Sequence, residues 1–128
     1  MKRLVVDLAP GEYTITRLAN GAARPDIEAT GLVSITSTPD GVSVLCPSDV
    51  APQSEDTRPG WRLLTVRGPL EFDLTGVMAA LAGELAAAGV TLLAVSTYDT
   101  DHVLVKATDL TRALKALHEA GHEVGPPS

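Results

Sequence analysis

Trp61-Arg62-Leu63-Leu64-Thr65-Val66-Arg67 alternates apolar and polar side chains as a strand does, and the run Leu74-Thr75-Gly76-Val77-Met78-Ala79-Ala80-Leu81-Ala82-Gly83-Glu84-Leu85-Ala86-Ala87-Ala88-Gly89 then changes period. Leu74, Val77, Met78, Leu81, Leu85 and Ala88 recur at helical spacing, so one face of a helix is apolar, and Gly89 stops it. Residues 90–97 and 102–106 read as two further strands joined by a turn at 98–101. Thr108 is placed to cap a second helix whose inner stripe is Leu110, Ala113, Leu114 and Leu117, with Gly121 closing it. Strand, helix, strand, strand, helix with right-handed crossovers places both helices on one face of a sheet. That is the ferredoxin-like arrangement of an α+β fold. It needs one more edge strand, and the few residues after Gly121 leave the N-terminal strand as the candidate.

Working back from Trp61, the first half has another character. Short apolar runs at 3–8, 13–18, 32–38 and 42–46 alternate with turn signals, Pro10-Gly11 and Pro39-Asp40-Gly41 among them, and the last two runs read as a hairpin. Residues 19–31 hold Gly21, Pro25 and scattered charge, which predicts a loop or a single helical turn. Residues 47–59, rich in Pro, Ser and acidic side chains, read as the joint between two lobes, 1–60 and 61–128.

Composition limits the function classes. In 128 residues, 45% hydrophobic and 20% charged side chains make a folded chain, while 3% aromatics leave little ring surface for stacking bases. A net charge of −6 disfavours nucleic acid and anionic lipid as partners. The N-terminal apolar run is too short for a signal sequence and no stretch is long enough to span a bilayer, so a cytoplasmic location is expected. Cys46 stands alone, which removes disulfides and a thiolate metal cluster, and reads as a half-buried residue near a strand end. His118 and His122 fall near a helix end, where imidazolium suits the dipole, and lack the spacing of a metal site. Ser96, Asp99 and His102 come without a nucleophile elbow or oxyanion loop, so no catalytic residues, metal ligands or cofactor are expected.

Residues 66–105, with Gly68-Pro69-Leu70 ahead of Asp73-Leu74-Thr75-Gly76-Val77-Met78-Ala79-Ala80-Leu81 and then Ala88-Gly89-Val90, resemble an ACT domain. Ser96-Thr97-Tyr98-Asp99-Thr100-Asp101-His102-Val103-Leu104-Val105 is the most specific piece and is similar to small bacterial tandem-ACT proteins of the CASTOR amino-acid-sensor type. The resemblance implies two ACT-like lobes, the first degenerate and poor in helix. Thr75-Gly76 stands where many such domains have Pro-Gly, and His102 where an aromatic is usual.

The resemblance also implies a non-catalytic regulatory module that binds an amino acid or similar small metabolite at the junction between lobes or subunits. Asp73, Leu74, Thr75, Gly76 and Val77 would form its ligand loop, and Ser96, Thr97, Tyr98 and Asp101 the facing patch. Physical chemistry fits this. Unpaired N–H groups at a helix start suit a carboxylate, and a glycine there lets a ligand approach the backbone. Asp101 could pair with an α-amino group while Tyr98 covers apolar parts of the ligand. The alternatives are a capped helix with a tight turn at Gly76, a solvated turn at 98–101, and a structural or protein-interaction module with an empty pocket. The outer helix face, Ala79, Ala80, Ala82, Gly83, Ala86 and Ala87 with Glu84 its only charge, reads as a subunit or inter-lobe contact. A homodimer and an unidentified regulated protein are the expected partners.

Overall fold

A computed structural model describes residues 3–68 and 76–125, and the chain divides into two compact units, 11–61 and 1–10 with 62–128. The first ten residues group with the second half of the chain. Their side chains explain why. Leu4, Val6 and Leu8 alternate inward and join a core with Leu64, Val66, Val103 and Val105.

In the unit 11–61, β2 (Tyr13–Leu18) pairs antiparallel with β4 (Gly41–Pro47), and β4 with β3 (Ser34–Thr38) as the expected hairpin. β5 (Thr57–Val66) borders β2 through its first residues, so the segment read as an irregular joint ends as strand. Pro59 and Gly60 hid it. The three residues from Tyr13 to Ile15 oppose the four from Arg58 to Trp61, and Gly60, at φ 83°, sits in the bulge that this mismatch makes. No α-helix occurs among the described residues of this unit. Ile27 and Val33 from the long loop, with Val50 and Ala51 around the 3-10 turn Ser48–Val50, pack on Val42, Val44 and Cys46 instead. The loop is pinned where the Leu32 N–H donates to the Tyr13 hydroxyl at 3.2 Å, and a Cβ on Gly31 would collide with that hydroxyl. Cys46 is fully buried rather than half-buried, because its strand position faces this core.

The second unit runs β1 (Val5–Leu8), the end of β5, α1 (Val77–Ala87), β6 (Leu92–Ser96), β7 (Asp101–Lys106), α2 (Leu110–Glu119) and β8 (Glu123–Gly125). Its strands lie in the order β8-β1-β5-β7-β6, with β1 antiparallel to β5 and parallel to β8. Val77, Leu81 and Leu85 of α1 and Ala113 and Leu117 of α2 enter one core, so both helices cover the same sheet face. This is the ferredoxin-like ACT arrangement of an α+β fold. The N-terminal strand does join the sheet, yet it lies inside it, and residues 123–125 form the edge.

Both helices end alike. Gly89 and Gly121 take positive φ, and the next residue's N–H reaches back: Val90 to the Leu85 carbonyl at 2.9 Å and His122 to the Leu117 carbonyl at 3.0 Å. The start of α2 differs from expectation. Thr108 lies inside a 3-10 turn, Ala107–Asp109, so the chain is already coiled there; Asp109 is the cap residue, and its carboxylate takes Arg112 at 2.6 Å instead of the helix N–H groups.

Candidate functional site

Asp73, Leu74 and Thr75 lie outside the described residues. Gly76 is the N-cap of α1, with φ 85° and ψ −1°, and makes no side-chain cap. Its carbonyl accepts the first helical bond, from the Ala80 N–H at 2.9 Å, which leaves the N–H groups of Val77, Met78 and Ala79 without helical acceptors. Among the described residues, nothing lies within 4 Å of where a Cβ on Gly76 would stand. The glycine is required by its backbone angle in any case. The Val77 side chain lies in the core, as its place in the apolar stripe predicts, so its backbone N–H is the group it can offer a ligand.

The other patch is a four-residue turn between β6 and β7. Ser96 and Asp101 oppose each other across the ladder, and the Ser96 hydroxyl donates to Asp101 Oδ1 at 2.6 Å. Thr97 closes the turn, its N–H donating to the Thr100 carbonyl at 2.9 Å and its hydroxyl to the same oxygen at 3.0 Å. The Thr100 hydroxyl ties the turn to β5 by donating to the Val66 carbonyl at 2.7 Å. Tyr98 stands at the tip, 84% exposed. Hydrogen bonds inside the turn thus engage part of the capacity of Ser96, Thr97 and Asp101, while one Asp101 oxygen has no bond given to it.

His102 faces the other side of the sheet from Val103 and Val105, and its Nδ1 lies 2.9 Å from the Thr65 hydroxyl. Burial pushes its pKa below the ordinary histidine value, and the neighbouring Asp101 carboxylate pulls weakly in the opposite direction. Its position in place of an aromatic therefore has a packing explanation. Across β5, Asp7 meets Arg67 in a two-point pair, and the guanidinium's hydrogen bond holds the Asp7 carboxyl below the usual range. A Cβ on Gly125 would meet Asp7 Oδ1, so a larger residue there would have to displace this pair. Sequence reading missed the Asp7–Arg67 pair, since sixty positions separate the partners and nothing local marks them.

The model of the ACT domain matches residues 56–119, which is half of the 128 residues and runs from β5 through α2. The chain belongs to the ACT domain family. Curated relatives include the cytosolic arginine sensor for mTORC1 subunit 1 of Homo sapiens, 38% identical over 58 residues, and that of Bos taurus, 35% identical over 66 residues. These stretches cover 44% and 51% of this chain but only 18% and 20% of the relatives, so the chain matches about a fifth of their length. A crystal structure of an Agobacterium tumefaciens protein is similar over 100% of this chain and 96% of its own, with 35% identity and a TM-score of 0.92. An aspartate kinase from Clostridium acetobutylicum shares the fold over 87% of this chain and 33% of its own, at 13% identity and a TM-score of 0.64.

Among the described residues no group of three or more His, Cys, Asp or Glu is placed to hold a metal ion. No helix there is long and apolar enough to cross a membrane.

Proposed function

We propose that this ACT chain is a regulatory, non-catalytic module that binds an amino acid, with the ligand held by the 73–77 loop and the 96–101 turn. The observation that carries this is the start of α1: a left-handed glycine followed by three N–H groups lacking helical acceptors, in the segment where the family match lies. Such a start receives a carboxylate. Asp101 supplies the opposite charge for an α-amino group. Relatives named as arginine sensors support an amino acid as the ligand class and put arginine on the panel to be tried.

The lobe 11–61 would be a degenerate second copy of the fold, its helices lost. Binding would favour one arrangement of the chain or its dimer, and a partner protein would read the difference. The exposed small residues Ala79, Gly83, Ala86 and Ala87 support the homodimer.

A second reading, a module without metabolite, is favoured by the hydrogen bond from Ser96 to Asp101, which gives the carboxylate scaffold work. Thermal unfolding against the proteinogenic amino acids separates the two. A ligand at a hundredfold excess over its Kd adds about 2.7 kcal/mol and raises the midpoint. If no amino acid raises it, and calorimetry finds no heat, the second reading stands.

A further inference from the structure

His122 has a place that neither the family match nor the proposed ligand site uses. It follows Gly121 at the end of α2, in the position that normally folds an apolar side chain back on the last turn, and its ring is only 2% exposed. The ring meets the N-terminal segment. Its Nδ1 accepts the Leu4 N–H at 3.1 Å, and the Leu4 carbonyl accepts the Glu123 N–H at 2.9 Å. A ring nitrogen that accepts carries no proton, so the single proton of the neutral ring is on Nε2. That nitrogen is buried, with no partner among the described residues.

Proton uptake at Nδ1 would set one N–H against another and leave a cation in a site that lacks an acceptor for either nitrogen. The charged and titratable groups lining the groove beside the ring are Arg3 ahead of β1, Lys115 and His118 on α2, and Glu123 on β8. Two fixed cations and a second imidazole stand against one carboxylate. Among the described residues of this groove, Glu123 alone favours the imidazolium.

We propose that His122 is a proton-sensitive pin, which fastens the N-terminal segment to β8 and the end of α2 while neutral and releases it when protonated. Because β1 lies between β8 and β5, release at Leu4 loosens the interior of the sheet as well as its edge. This reverses the sequence reading of His122 as an imidazolium stabilised by the helix dipole. His118, exposed in the last turn, can still play that part.

Amide hydrogen exchange between about pH 7.5 and about pH 5 tests the pin, across the range where imidazole titrates. Protection at Leu4 and Glu123 should fall roughly tenfold or more relative to Val90, whose N–H makes the equivalent bond at the end of α1 and has no histidine beside it. His118→Gln should keep this fall and His122→Gln should remove it. Nitrogen shifts of the His122 ring give a second measurement that needs no variant: the proton should be on Nε2 at the higher pH. Protection at Leu4 and Val90 falling in parallel, or a ring protonated at Nδ1 at the higher pH, would overturn the proposal even if His122→Gln does not fold.

Discussion

Residues 11–61 and the unit made from 1–10 with 62–125 cover a sheet in different ways. The second uses two helices, whose Val77, Leu81, Leu85, Ala113 and Leu117 enter one core with strand residues. The first uses an irregular loop and a 3-10 turn over Val42, Val44 and Cys46. A helix brings more than cover, because its first turn presents aligned N–H groups and its last a terminating glycine. A loop that spends its polar groups on being held in place, as Leu32 does on Tyr13, offers none of this. The comparison supports the proposed ligand site in the helical unit.

The strongest way to break that comparison is to weaken each core. Leu85→Ala removes a side chain of 0% exposure from the helical unit and should cost about 2–5 kcal/mol by chemical denaturation, whereas the half-buried Ile27→Ala in the other unit should cost roughly 1 kcal/mol. Equal losses would mean that the loop is as well packed as a helix. Asp101→Asn should weaken the best amino acid by about 1.5–3 kcal/mol in calorimetric titration. It should also lower the ligand-free midpoint slightly, because Ser96 donates to that carboxylate. Unchanged affinity would hand Asp101 to the scaffold. Gly76→Ala forces a side chain into a left-handed backbone and should destabilise by about 1–2 kcal/mol. A loss of binding beyond that destabilisation, measured on the folded variant, would mark the glycine as part of the site.

The smallest effect concerns acid. All three histidines lie in the helical unit, and His102 is held below its ordinary pKa by burial. A lowered histidine pKa means that the folded state prefers the neutral ring, so its share of stability is complete above the ordinary range and declines as pH falls. Between about pH 7 and about pH 5.5, exchange protection should therefore drop in β7 before it drops in β4, and His102→Gln should shrink the difference. A uniform drop would show that the acid response is not local.

The helical unit was legible because its signals are local. The Leu81 and Leu85 stripe, the glycines after each helix and the two strands around Tyr98 all act over a few residues, and each expectation matched. Features set by distant partners were not legible. Three residues, Glu123, Val124 and Gly125, have no periodicity to read; they are a strand because β1 lies beside them. Thr57 to Gly60 looked like linker because Pro59 and Gly60 are loop residues elsewhere, and only the bulge opposite Tyr13 makes them strand. The site divided in the same way. Gly76 carried its backbone requirement in its identity and Val77 its burial in the helical stripe, but the hydrogen bond from Ser96 to Asp101 exists only once the chain is folded.

Placing β1 between β5 and β8 also gives the molecule an order of events. Residues 11–61 are continuous and can close among themselves, whereas Leu4 must wait for His122, 118 positions further along. Closing a contact across so many positions is slow, since the entropy of bringing such distant residues together is lost before their bonds form. The sheet of the helical unit is thus a clasp whose two parts are far apart in sequence, and refolding should show a fast phase in β4 and a slower one shared by Leu4 and Glu123.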